Sequence, residues 1–147
     1  MYRFDHTKIK EFDHTADTGI LASGETLPAL FANLAFGMLS LITTDPGQQE
    51  NHNKFIELTA SSLTDLVVAW LSEINYILQV DHFLVTGIEV KSFRSTPDTV
   101  SISAVLLGCN SRHYENDFKT EIKAVTYHQL ECEQKEDEYV ARVIFDI

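Results

Sequence analysis

The chain has 147 residues, of which 44% are hydrophobic and 22% charged, a composition typical of one globular domain and not of a disordered chain. Its formal net charge is −11, which disfavours direct nucleic-acid binding and favours a basic protein partner or a cation. The first residues form no apolar run typical of a secretory signal, and no stretch reaches the ~18 apolar residues of a membrane span. We therefore expect a cytoplasmic protein without membrane contact.

The N-terminal part of the chain predicts a strand followed by a helix. Residues 18–22 have the composition of a short strand. Thr26 can cap the helix that follows, and the first turn of a helix tolerates Pro28. Apolar residues then recur at three- and four-residue spacing as far as Leu41, which predicts one buried helix face. The polar segment 43–49 is expected to end that helix.

The rest of the chain predicts a second helix between strands. Residues 54–60 form a strand pattern, and Ser62 with Asp65 resembles a capping box at the start of an amphipathic helix. Four further segments rich in β-branched residues predict strands at 83–90, 99–107, 121–128 and 139–147. The order β-α-β-α-β-β-β-β predicts an α+β fold of two layers, with two helices packed on a largely antiparallel sheet. No linker divides the chain, so residues 1–147 are predicted to form a single domain.

The tetrapeptide Phe-Asp-His-Thr occurs twice, at residues 4–7 and 12–15. The spacing of eight residues matches no solenoid period. Cations at Lys8 and Lys10 follow the first copy, and a metal site disfavours them, whereas the second copy leads through Asp17 into a predicted strand. We interpret the first copy as a chance echo of the second.

Acidic groups near the two ends of the chain suggest a cation site. Asp13, His14 and Asp17 lie at the start of the first predicted strand, although short polar residues there also commonly form turns. Asp146 and the α-carboxylate of Ile147 lie at the end of the last strand, and neighbouring carboxylates repel each other unless a cation or a donor compensates. With Asp17 they would offer three hard oxygen ligands suited to Ca²⁺, Mg²⁺ or Mn²⁺. A solvated terminus is the alternative interpretation.

A family resemblance rests on six segments in order along the chain: DHTADTG (13–19), GETL with its amphipathic helix (24–41), TTD (43–45), WLSE (70–73), KTEIKAVTYH (119–128) and VIFDI (143–147). With these segments the chain resembles the archease family over nearly its whole length. The family pattern aligns with the second copy of the tetrapeptide and leaves the first copy outside.

The resemblance implies a small α+β protein that is not itself an enzyme but a cofactor of the RtcB-type tRNA-splicing RNA ligase. That ligase joins 2′,3′-cyclic-phosphate or 3′-phosphate RNA ends to 5′-hydroxyl ends through a guanylated histidine. Archeases promote guanylylation and multiple turnover of the ligase and do not ligate RNA themselves.

The resemblance also implies a ligand set for a divalent cation. The family's metal ligands fall on Asp17, Asp146 and the α-carboxylate of Ile147, with Ca²⁺ expected first and Mg²⁺ or Mn²⁺ as alternatives. His14 and Lys123 are candidates for an outer role, because a histidine can orient a ligand and a lysine can neutralise the empty site. An exposed strand lysine is the alternative for Lys123. Tyr127 is interpreted as an aromatic at the edge of the core.

Two other function classes stay open. A general chaperone or adaptor is compatible with the acidic surface, and a metal-dependent hydrolase could activate water with carboxylates and a histidine. The sequence has no GxSxG nucleophile motif. A hydrolase should turn over a phosphoester or an amide alone, and a general chaperone should suppress aggregation of unrelated proteins. An archease should act only with its ligase.

Overall fold

The computed structural model of the chain describes residues 1–14, 17–44 and 49–147. In this part of the chain the strands and α-helices follow in the order β1 (Ile9–His14), β2 (Asp17–Gly24), α1 (Leu27–Ile42), β3 (His52–Ala60), α2 (Leu63–Asp81), β4 (Phe83–Ser95), β5 (Val100–Asn110), β6 (Ala124–Val125), β7 (Glu131–Lys135) and β8 (Glu138–Asp146). Short 3₁₀ turns lie at 6–8, 111–113 and 115–117.

Both predicted helices and their caps are confirmed. Thr26 Oγ1 accepts a hydrogen bond from the Ala29 amide at 3.2 Å. Ser62 Oγ accepts one from the Asp65 amide at 3.1 Å. Each cap satisfies an amide at a helix N-terminus that has no partner inside the helix, so it fixes where the helix begins.

The strands form two antiparallel sheets. The five-stranded sheet has the order β1-β2-β8-β6, with β7 also paired to β8, and the three-stranded sheet has the order β3-β5-β4. The α+β prediction of two helices on antiparallel strands is confirmed, while β1 and β7 add to the predicted strands. The predicted strand 121–128 pairs only at Ala124–Val125. Beyond this pair the Thr126 amide still donates to the Ile144 carbonyl of β8 at 3.1 Å, and the Tyr127 side chain bonds Asp65 of α2.

One hydrophobic core lies between the helices and the inner faces of both sheets. Trp70 of α2 is fully buried, and its Nε1 donates a hydrogen bond to the Phe31 carbonyl of α1 at 2.8 Å. The sheets contribute buried aliphatic and aromatic side chains to this core, among them Ile20, Ile88, Ile102, Leu106, Val143 and Phe145. No described helix combines the length and the apolar character that crossing a membrane requires.

Candidate functional site

Strand pairing brings the two ends of the chain together in the five-stranded sheet. His14 of β1 pairs with Asp17 of β2, and Thr18 of β2 pairs with Phe145 of β8. One step further along the same antiparallel register lies Asp146, next to Asp17. We call Asp17 and Asp146 the carboxylate row. The sequence motifs that carry two of the predicted metal ligands are therefore neighbours in the fold.

The carboxylate row lies on the side of the sheet away from the helices, which we call the outer face. Phe145 is fully buried in the core, and neighbouring residues along a strand point to opposite faces, so Asp146 points outward. Residues directly opposite each other share a face, which puts Asp17 on the same side. Asp17 is half-buried and Asp146 is exposed. Two carboxylates at neighbouring positions repel each other, so a cation between them would be stabilising.

The predicted ligand set has the donor chemistry of a site for a hard divalent cation, and its third donor would be the α-carboxylate of Ile147. In the described ranges no three His, Cys, Asp or Glu side chains converge on one point. The predicted set, however, has two side-chain carboxylates and the α-carboxylate of Ile147, a residue that is 38% exposed and directly follows Asp146. Oxygen donors of this kind suit Ca²⁺, Mg²⁺ and Mn²⁺. The ligand set stays a prediction.

Two residues were predicted to have outer roles. The backbone of His14 belongs to β1, but its side chain lies outside the described part of the structure, so its role stays a prediction. Lys123 is exposed, and its backbone N–H donates a hydrogen bond of 2.8 Å to the Asp146 carbonyl. This contact ties Lys123 to the end of β8 through its backbone, and a role for its ammonium group stays a prediction.

An aromatic ring crosses strand β2 beside the carboxylate row. Phe12 pairs with Gly19, and a Cβ atom at position 19 would lie 2.3 Å from Phe12 Cζ. Only glycine at position 19 leaves room for the Phe12 ring in its present position. On the far side of β2 the Arg142 guanidinium lies 4.5 Å from the centroid of the Phe12 ring. A cation over an aromatic face is attracted by the ring quadrupole.

Arg142 is oriented by this stack and by one hydrogen bond. Its Nη2 donates to Gln129 Oε1 at 3.0 Å, whereas its Nε is buried without a hydrogen-bond partner. Leaving a buried donor unpaired costs about 1–3 kcal/mol. Gln129 has a φ of 52°, in the left-handed region, and lies in the turn between β6 and β7. No sequence motif points to Phe12, Gln129 or Arg142, because strand pairing and the turn at Gln129 bring them together only in the folded chain.

The segment 126–130 between β6 and β7 is anchored at two points. The Thr126 hydroxyl donates to the Ile144 carbonyl at 2.8 Å, and the Tyr127 hydroxyl donates to Asp65 Oδ1 at 2.9 Å. The hydrogen bond from Tyr127 is the main reason that the pKa of Asp65 is lowered, and it raises the pKa of Tyr127. Tyr127 is 59% exposed, so the prediction of an aromatic at the core edge is wrong. Its hydroxyl instead fixes this segment to the start of α2.

A second polar cluster bears on the hydrolase alternative. His82 Nδ1 and Glu115 Oε1 share a hydrogen bond of 2.6 Å, and the Ser111 hydroxyl donates to the same Glu115 oxygen at 3.3 Å. The hydrogen bond from His82 is the main cause of the lowered pKa of Glu115. In a nucleophilic triad the histidine bonds the hydroxyl and the carboxylate supports the histidine from behind. Here the carboxylate lies between the other two groups, so this cluster ties the segment after β5 to the end of α2.

Comparison with known proteins gives consistent matches along the chain. Residues 10–147 match the sequence model of the archease protein family (MTH1598/TM1083), a range that leaves the first copy of the tetrapeptide outside. The chain is 38% identical over 141 residues to the archease of Methanosarcina acetivorans, covering 95% of this chain and 96% of the relative. It is 36% identical over 140 residues to the archease of Methanosarcina mazei, with coverage of 95% and 96%.

Two solved structures share the fold. Protein 1598 of Methanobacterium thermoautotrophicum, solved in solution, matches with a TM-score of 0.82 and 26% identity over 95% of this chain and 99% of that one. The crystal structure of a Thermotoga maritima archease, described as a possible chaperone, matches with a TM-score of 0.54 over 92% of this chain and 94% of that one. At 20% identity the Thermotoga structure supports the fold alone.

Proposed function

This chain belongs to the archease family, and we propose that it is a protein cofactor of an RtcB-type tRNA-splicing RNA ligase. In this proposal the chain promotes guanylylation and multiple turnover of the ligase, acts in the cytoplasm and does not itself catalyse ligation. The observation that carries the proposal is the family match over residues 10–147, because it includes every segment on which the resemblance rests.

We further propose that Asp17, Asp146 and the α-carboxylate of Ile147 bind a divalent cation, with Ca²⁺ first and Mg²⁺ or Mn²⁺ as alternatives. The cation would supply positive charge between carboxylates that otherwise repel one another. The register supports this assignment, since it brings Asp17 beside Asp146 on the outer face. The two carboxylates then join the start of β2 to the end of β8.

The surrounding residues would keep these ligands in register. The Phe12 ring packs on Gly19, two residues beyond Asp17, and Thr126 bonds the Ile144 carbonyl, two residues before Asp146. Both contacts fix the strands next to the carboxylates. Ligands on strands whose neighbours are fixed lose little conformational entropy when they bind a cation.

The charge of the chain is consistent with a protein partner. With a net charge of −11, the chain would be repelled by the RNA that the ligase joins. We therefore expect it to act on the ligase and not on the RNA ends.

The test is a ligation assay with the purified cognate ligase, GTP and a divalent cation. Adding the chain should increase the guanylylated fraction of the ligase and allow repeated turnovers, and the chain without ligase should leave the RNA ends unjoined. Unchanged guanylylation and turnover would contradict the proposal.

A general chaperone is the second candidate function, because the net charge of −11 is also compatible with a chaperone or adaptor. Suppression of the aggregation of unrelated proteins, measured by light scattering during heating, would support it. Stimulation limited to the ligase would support the cofactor proposal instead.

A further inference from the structure

The outer face next to the carboxylate row carries a set of basic residues on an otherwise acidic protein. Lys10 of β1 pairs with Leu21 of β2, which pairs with Arg142 of β8, so the three side chains cross the sheet in one row on the outer face. A groove of about 350 Å³ adjoins this row, with Lys8 and Lys10 among its lining residues. We call this groove together with Arg142 the basic groove.

Lys8, Lys10 and Arg142 are the three cations of the basic groove, and none of them forms an ion pair in the described part of the chain. The ion pairs found there join Arg3–Glu50, Lys54–Asp81, His82–Glu115, Lys91–Glu89 and Lys135–Glu133. Glu131 lies opposite Arg142 in the β7–β8 register, yet Arg142 bonds Gln129 and stacks on Phe12. In a chain with twice as many acidic as basic residues, these three cations have positive charge available for another molecule.

The basic groove also exposes apolar surface between its charges. Leu21 is 39% exposed at the centre of the row, and Val140 lines the groove beside it. Protein interfaces are enriched in arginine and aromatic residues around a dry apolar centre, with charges at the rim. Arg142 and Asp146 are four residues apart on β8, so the groove and the carboxylate row lie roughly 13 Å apart on one continuous face.

We propose that the basic groove is the docking site for a protein partner, with acidic side chains of the partner pairing with Arg142 and Lys10 around Leu21. This inference rests on the proposed function, in which the partner is the ligase. The positive charge of the basic groove favours a partner that presents acidic side chains. The planar guanidinium of Arg142 is already oriented by Phe12 and Gln129, and such a group pairs well with a carboxylate.

A nucleic-acid backbone fits this groove less well than a protein carboxylate. Glu138 lines the groove, and Glu131 and Glu133 lie on the neighbouring strand β7. A continuous row of phosphates would meet these acidic residues as well as the three cations, whereas single carboxylates can contact the cations alone.

The test measures binding of the full chain to the purified ligase by calorimetry at low and high salt. Lys10→Glu changes an exposed residue, and Arg142→Gln removes the guanidinium. Arg94→Glu is the matched control, because Arg94 is exposed at the end of β4 in the other sheet and undergoes the same charge change as Lys10. We expect Lys10→Glu and Arg142→Gln to weaken binding by about tenfold or more and to flatten its salt dependence. Arg94→Glu should stay within about twofold of the unmodified chain.

Each outcome decides between the two proposals. If the unmodified chain binds and activates the ligase and all three variants bind equally well, the docking site is wrong and the proposed function stands. If the unmodified chain neither binds nor activates the ligase, both proposals fail. Binding of the RNA substrate by the chain alone, lost in Lys10→Glu, would assign the groove to phosphate and overturn the inference. Should Arg142→Gln fail to fold, Lys10→Glu decides alone, with unchanged Ca²⁺ affinity as the sign that its carboxylate row is intact.

Discussion

Residues 4–7 and residues 12–15 share the sequence Phe-Asp-His-Thr but differ in what they contact. In the first copy Asp5 Oδ1 accepts hydrogen bonds from the Thr7 amide at 3.0 Å and from the Thr7 hydroxyl at 2.6 Å, which closes a 3₁₀ turn, and Phe4 is 46% exposed. In the second copy, of which Thr15 lies outside the described residues, Phe12 belongs to β1, packs on Gly19 and stacks with Arg142.

The two copies differ in structure because, in the described part of the chain, only the second copy has a neighbouring strand to pair with. The first copy bonds to itself, as Asp and Thr commonly do in turns. Residues 12–14 of the second copy pair with β2, and β2 in turn pairs with β8, so they join a sheet that includes residues near the end of the chain. The same sequence therefore forms a local turn at residues 4–7, whereas residues 12–14 belong to a strand beside the candidate site.

The largest expected effect is a loss of Ca²⁺ affinity when Asp17 or Asp146 is changed, but not when Asp5 of the first copy is changed. Asp17→Asn or Asp146→Asn should lower Ca²⁺ affinity by more than about 100-fold, since even the outer partners of metal ligands are worth about 10- to 100-fold. Asp5→Asn is the control and should keep the affinity of the unmodified chain, because Asp5 bonds Thr7 in a separate turn. Calorimetric titration with Ca²⁺ provides the measurement. Unmodified affinity in both Asp17→Asn and Asp146→Asn would refute the ligand set.

The two phenylalanines should differ in their contribution to stability. Phe12→Ala removes the ring that packs on Gly19 and stacks with Arg142, so the free energy of unfolding should fall by about 2 kcal/mol. Phe4→Ala changes a ring that is 46% exposed, so its effect should stay near 0.5 kcal/mol, roughly the limit for surface substitutions. Urea denaturation followed by circular dichroism measures both. An equal loss in the free energy of unfolding for both variants would show that the contacts of Phe12 with Gly19 and Arg142 do not stabilise the fold.

Extending the chain at either end should also distinguish the two regions. The proposed ligand set includes the α-carboxylate of Ile147, and adding a few residues after it converts that group into a neutral amide. Ca²⁺ affinity should fall about tenfold, and stimulation of the ligase should fall with it. Residues added before Met1 extend the chain on the side of the first copy and should change neither property. Equal affinity with either extension would remove Ile147 from the ligand set.

The smallest expected effect is a change in the pKa of Asp5, which belongs to the first copy. The Thr7 hydroxyl is the main cause of the lowered pKa of Asp5, so Thr7→Val should raise that pKa toward the ordinary value of 3.8. Because the pKa of Asp5 is lower in the folded chain, these hydrogen bonds stabilise the fold above the unfolded pKa. Their contribution is lost as the pH falls through the folded pKa. Carboxyl chemical shifts of Asp5 followed by NMR during acid titration check the change, and an unaltered midpoint in Thr7→Val would assign the lowered pKa to another group.

The sequence by itself determined the features that depend on neighbouring residues along the chain. The three- and four-residue spacing of apolar side chains predicted both helices, and the caps at Thr26 and Ser62 predicted where they begin. The β-branched segments predicted the principal strands and so the α+β class. These signals are local, because a cap or a helix face is formed by residues within a few positions of one another.

Only the tertiary structure decided which distant residues meet. β1 and β7 lack the pattern of a buried strand, and they form because β2 and β8 offer them free edges. Phe12, Gly19 and Arg142 come from three strands, and Asp17 reaches Asp146 only through the β2–β8 register. Pairing between strands far apart in sequence depends on the whole fold and leaves little trace in any one segment. For this reason the sequence could name the carboxylates at the two ends of the chain, but it could not show the basic groove beside them.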